Sequence, residues 1–201
     1  MSKEDVQAQA NKMLGLFMQQ VKQSKRTGQE HVTMHCLNPE SGGTLTNVHT
    51  GDEEFAHNMP CPLSHPRKLI RFHTHPHGTS DFSGGDIAGN LYERVELDCI
   101  GYPTDGKGQI RCVRRRPHID PDAEKAFIEK AARFQSLCNR WADIVHGLPG
   151  AAQEHAIAQI RQQVKDINKE FRQFVEDVPL RDKEAAEFEF PLATEVASDG
   201  V

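Results

Sequence analysis

An α/β fold completed by a helical hairpin is what this chain predicts, and three observations carry the prediction. Apolar residues recur at spacings of three and four near the N-terminus and again over two long stretches beyond residue 120. Short strand-like runs, bounded by Gly, Pro and Asp, fill the interval between them. The chain has 201 residues, 37% hydrophobic and 6% aromatic, which suits one sizeable polar domain with appended helices and not two full domains.

The first helix is predicted from Asp5 to Ser24. Val6, Ala10, Met13, Leu14, Phe17 and Val21 form its apolar stripe, and Ser2 is a candidate cap. That stripe reads as core. Glu30 to Leu37 is strand-like, Pro39 to Gly43 a turn, and Thr44 to Val48 a hairpin partner. Residues 51 to 66 carry His57, Pro60, Cys61, Pro62, His65 and Pro66 without periodicity, and read as a loop covering part of a groove. Arg67 to Phe72 is a further apolar strand. A helix weakened by Gly89 is expected from Ser83 to about Tyr92. Val95, Leu97 and Cys99 then alternate with Glu96 and Asp98, and the turn Pro103 to Gly108 joins them to a second run, Gln109 to Arg114, as a β-hairpin.

Asp120 as cap and Pro121 at the first helical position open a helix in which Phe127, Ala131, Phe134, Cys138, Trp141 and Val145 recur at three and four, up to His146. Leu148-Pro149-Gly150 breaks it. The next helical stretch carries Ile157, Ile160, Val164, Ile167, Phe171 and Phe174 and is expected to run until Pro179. The organisation is thus a domain over 1–118, a helical hairpin over 119–178 and an acidic tail over 179–201, mobile apart from Phe188 to Leu192. The hairpin's stripes pack on the domain or on each other, or else serve a homo- or hetero-oligomer.

The net charge is −5; residues 176 to 201, with eight acidic and two basic side chains, carry a local charge of −6, which leaves the remainder near +1. Arg114 to Arg116 is too small a basic cluster for a nucleic-acid footprint. No apolar run approaches the roughly 20 residues that cross a bilayer, and the N-terminus lacks the apolar core of a signal peptide. A cytoplasmic protein without membrane or nucleic-acid partners is expected. Cys36, Cys61, Cys99, Cys112 and Cys138 are odd in number and lack a Cys-x-x-Cys pair, so they read as free thiols in a reducing compartment. Three of them fall in strand-like runs and read as core.

The chemistry concentrates in His73-Thr74-His75-Pro76, followed after six residues by Ser83-Gly84-Gly85-Asp86. Alternate side chains of a strand share a face, so His73 and His75 point the same way. Pro76 and the turn residues Gly78 to Asp81 end the strand. Ser83 then caps a helix whose third position, Asp86, turns its carboxylate back toward the chain. Two neutral imidazoles, a carboxylate and an open position for water make a catalytic zinc site. Such an ion brings the pKa of its water to about 7 and polarises a carbonyl oxygen. A Ser-x-x-Asp pair alone is an ordinary helix cap, and eleven histidines often fall near one another. Five fixed positions together, each filled by chance a few percent of the time, coincide in fewer than roughly one in ten thousand such chains. His77, beyond Pro76, reads as a solvated loop or supporting residue.

His73-x-His75-Pro76-x6-Ser83-x-x-Asp86 resembles the signature of the JAMM (MPN+, or JAB) zinc metalloproteases at all five positions. That family includes deubiquitinating subunits of the proteasome lid and signalosome and many bacterial, archaeal and phage relatives. The resemblance covers residues 4 to 115. It implies a JAMM/MPN-like, cytidine-deaminase-like mixed sheet flanked by helices, with Zn2+ held by His73, His75 and Asp86. It implies that Ser83 positions water or supports the tetrahedral intermediate. It also implies a peptidase or isopeptidase acting on a ubiquitin-like protein or other peptide. The family's upstream glutamate, which moves a proton from water to the leaving amine, corresponds best to Glu30, at the start of a strand after a helix. Glu40, Glu53 and Glu54 lie in turn-rich polar stretches and read as solvated. Here the chain departs from the family, since His31-Val32-Thr33 follows Glu30 where a glycine-containing apolar run is usual. The remaining alternative is a catalytically weak or inactive JAMM-like scaffold that assembles through its C-terminal helices.

Overall fold

The computed structural model describes residues 3–37, 44–50, 68–77, 79–104, 107–178 and 187–189. The described residues form α1 (Lys3–Thr27), β1 (His31–Leu37), β2 (Thr44–Thr50), β3 (Lys68–Thr74), α2 (Gly84–Tyr92), β4 (Leu97–Thr104), β5 (Lys107–Arg115), α3 (Pro121–His146), α4 (Gly150–Phe171), β6 (Val175–Val178) and β7 (Glu187–Glu189). The strand order is β2-β1-β3-β4-β5-β6, with β7 also beside β5. The architecture is mixed α/β. Two compact units divide it, Met1–Ser80 with Cys99–Cys112 and Pro179–Val201, and Asp81–Asp98 with Val113–Val178.

In the first unit α1 supplies the core stripe read from its spacing. Val6, Ala10, Leu14, Phe17 and Val21 are buried, while Glu4 and Asp5 open the helix and Lys25 and Arg26 end it, complementing its dipole. Gly28, at φ 72°, turns the chain toward β1. β1 pairs antiparallel with β2, as the hairpin reading expected, and antiparallel with β3 on its other side. Phe17 meets Phe72 of β3 with ring centroids 4.4 Å apart. Gly101 lets α1 lie this close: a Cβ there would sit 2.2 Å from Val21 Cγ2 and 3.0 Å from Phe17 Cζ.

In the second unit α2 packs on α3. Phe82 meets Phe171 edge-on at 5.6 Å, and Phe127 stacks on Phe174 at 4.9 Å. Asp120 Oδ1 accepts from the Asp122 and Ala123 amides at 2.9 Å, so the cap read from Asp120-Pro121 is formed. Lys130 of α3 meets Glu170 of α4 at 2.6 Å.

Several expectations need correction. Cys99 and Cys112 form a disulfide, and Cys36 is disulfide-bonded too. The free-thiol reading therefore fails for these three: adjacent strands bring Cys99 and Cys112 face to face with Cα atoms 4.1 Å apart. Asp98, which alternates with Leu97 and Cys99, is 0% exposed and accepts from Asn90 Nδ2 at 3.0 Å, because β4 is buried on both faces along its first half. The last helix stops at Phe171 instead of running to Pro179. Beyond it Phe174 O accepts from Arg116 N at 2.9 Å, Glu176 pairs with Arg114 and lies 3.9 Å from Arg116, and residues 175–178 form β6. The arginine cluster is thus occupied within the fold, with Arg115 paired to Glu124. Phe188, expected to be ordered, lies in β7 against Gly108. Ser2, Glu40, Glu53, Glu54, Cys61, the loop 51–66 with His57 and His65, and residues 190–201 of the tail lie outside the described residues.

Candidate metal centre

β3 delivers both histidines. His73 is its penultimate residue, and His75 follows just past its end, where its N–H still donates to Gly101 O at 2.8 Å. Both are buried, at 2% and 7% exposure, with ring centroids 5.0 Å apart. His75 Nδ1 lies 3.2 Å from Thr79 O. A proton on Nδ1 donates to that carbonyl and leaves the Nε2 lone pair for a metal, the usual arrangement for a ligating histidine. Pro76 and His77 form the turn that follows, and His77 is exposed, as its position beyond Pro76 suggested.

Asp86 is placed by the start of α2. Ser83 is the N-cap, with Asp86 N donating to Ser83 Oγ at 3.0 Å and Ser83 N donating to Asp86 Oδ2 at 2.9 Å. This reciprocal pair is the capping box expected from Ser-x-x-Asp. It fixes the carboxylate's rotamer. Because the Ser83 hydroxyl accepts in this contact, its own proton remains for donation elsewhere.

The ligand atoms offered by His73, His75 and Asp86 all lie within 4.8 Å of one another. Two imidazoles and one carboxylate at that separation fit a single divalent ion, with a coordination position left over. The chemistry of the donor set and its convergence agree.

Glu30 immediately precedes β1 and is half-buried. The β1–β3 register pairs Val32 with His73, and His31 N donates to Thr74 Oγ1 at 2.8 Å. Continuing that antiparallel register sets Glu30 opposite His75, and directly opposed residues share a face. The glutamate therefore occupies the strand level of the second histidine.

Sequence reasoning missed several contributors. The Thr79 carbonyl and the Thr74 hydroxyl gave no signal, since their roles depend on a turn and a register. Asn168 and Gln135 are distant in the chain, yet Asn168 holds the backbone of Phe82 and Gln135 Oε1 accepts from Gly85 N at 3.0 Å. Arg71, 2% exposed, alternates onto the same face of β3 as His73. No protein-family model, curated protein or solved structure matches the chain. The structure defines this protein as a mixed α/β chain with a His-His-Asp group able to bind a metal.

Proposed function

We propose that the chain is a JAMM-type zinc metalloprotease that hydrolyses a peptide or isopeptide bond, with the C-terminal glycine of a ubiquitin-like protein as the favoured scissile position. The observation that carries this reading is the gathering of the His73, His75 and Asp86 ligand atoms within 4.8 Å, at the positions of the resembled signature. Zinc held there supplies Lewis acidity toward the scissile carbonyl and lowers the pKa of a water to about 7. Glu30, at the strand level of His75, is the general base that takes the attacking water's proton and returns it to the leaving amine. The Ser83 hydroxyl, its oxygen engaged by the Asp86 amide, donates to the developing oxyanion. Glycine-ended tails are favoured through the resemblance alone, since a narrow groove of the kind it implies would accept an extended segment without side chains. Among the described residues no helix is long and apolar enough to cross a membrane. Cytoplasmic action belongs to the proposal through the substrate class alone, since the bonded cysteines remove the free-thiol argument.

The test is release of a fluorophore amide-linked to the C-terminal glycine of a ubiquitin-like protein by zinc-loaded wild type and Glu30→Gln. Turnover by wild type, lower by about 10²- to 10⁴-fold in Glu30→Gln at unchanged metal content, is expected. Turnover persisting in Glu30→Gln refutes the assignment of the base. Zinc-loaded wild type that cleaves neither this substrate nor a mixed peptide pool refutes the protease.

A second reading, a weak or inactive scaffold assembling through its C-terminal helices, is favoured by one observation. Leu137, Trp141 and Ile144 of α3 are 46%, 41% and 60% exposed and share a helix face by their spacing of four and three. Under it Trp141→Glu lowers the sedimentation mass of an oligomer, and a monomeric wild type rules out self-assembly.

A further inference from the structure

We infer that Asn168 of α4 is a positioning residue for the metal ligand Asp86, which makes the C-terminal helical hairpin part of the apparatus that builds the site. The inference rests on the metal reading above and concerns residues that the resembled signature does not contain.

Asn168 is 6% exposed, and its carboxamide grips one residue from both sides. Its Oδ1 accepts from Phe82 N at 2.9 Å and its Nδ2 donates to Phe82 O at 2.7 Å. Nδ2 also donates to Val164 O at 2.9 Å. Two carbonyl acceptors on one side and an N–H donor on the other fix which way the amide faces. Phe82 is itself 0% exposed and packs on Phe171, one turn along α4 from Asn168.

The consequence follows from the peptide unit that joins Phe82 to Ser83. Its carbonyl oxygen accepts from Asn168, and its N–H donates to Asp86 Oδ2 at 2.9 Å. One rigid, planar group therefore has Asn168 at one end and the carboxylate ligand at the other. Rotating that plane would aim the Ser83 N–H away from Asp86. Donation to the carbonyl also polarises the N–H that holds the carboxylate. Without Asn168 the Phe82 N–H and C=O would lose these two hydrogen bonds in a buried setting, and the constraint on the plane's orientation would go with them. Only a carboxamide both donates and accepts here; Asp would keep the acceptor for the Phe82 N–H and lose the donor to its carbonyl.

Cobalt(II) titration, read by visible absorption and by affinity, tests this without reference to turnover. The proteins are the full-length wild type, Asn168→Ala and Ile167→Ala, the last removing a neighbouring core side chain of α4 that is 4% exposed. Asn168→Ala is expected to weaken cobalt binding about 10- to 100-fold and to shift the cobalt absorption bands. Ile167→Ala, though less stable, is expected to stay within about twofold of wild type in affinity. Cobalt binding by Asn168→Ala with wild-type affinity and spectrum overturns the inference, as does an equal loss in Ile167→Ala. If Asn168→Ala does not fold, Asn168→Asp is read in its place against the same criteria. A wild type that binds no cobalt overturns the metal reading and this inference with it.

Discussion

His73 and His75 show how far a two-residue spacing goes at the scale of single residues. Strand alternation alone aims both rings to one side, and the structure brings them together with Asp86. His31 and His35 obey the same alternation on β1, yet they lie on the other face of the sheet: His35 meets Phe72 edge-on at 5.7 Å, on the side where Phe72 packs against α1. Nothing in the sequence separates the two pairs, because the face depends on register and not on residue type. Burial pushes the pKa of His35 down to about 4 and lowers that of His31. The unfolded chain takes up these protons below pH 6.5 while the native state declines them, so their contribution is complete above 6.5 and falls away with pH, for His35 through about 4. His35 alone accounts for roughly 2–3 kcal/mol between pH 7 and 4.5. Urea unfolding of His35→Leu is expected to show a shallower acid loss than wild type; an identical loss contradicts this assignment.

Gly84 and Gly85 make the corresponding point for elements. Both were legible as the first turn of a capped helix, and the capping box formed as read. Their sequence positions do not say which one α3 needs. A Cβ on Gly84 would lie 2.6 Å from Ala131 O and 3.0 Å from Gln135 N, both backbone atoms of α3, whereas one on Gly85 would meet Gln135 Cγ at an ordinary 3.6 Å. Gly84→Ala is therefore expected to cost about 1–3 kcal/mol and lower the melting temperature. Gly85→Ala should be near neutral or slightly stabilising through helix propensity. Equal melting temperatures for the two variants would contradict the packing of α2 on α3. The shortened last helix was less legible: an apolar stripe continued through Phe174, but Glu176 pairs with Arg114 beyond it and the chain becomes β6.

For the whole molecule, helices, strands and the histidine strand were readable from periodicity, whereas long-range partnerships were not. The Cys99–Cys112 bond lay within reach, since both cysteines are equidistant in sequence from Asp105-Gly106, the centre of the turn expected from the sequence. The grip of Asn168 on Phe82 was not, because 86 positions separate them and no local pattern links them. Asp86 is the candidate ligand on which the proposed site depends most, being tied both to the helix cap and to the gathered histidines. Metal content by mass spectrometry, on wild type and on Asp86→Asn purified without chelator, addresses this directly. About one divalent ion per wild-type chain is expected, lost in Asp86→Asn with helical content preserved; no ion in wild type, or the same content in both, would contradict the proposed site.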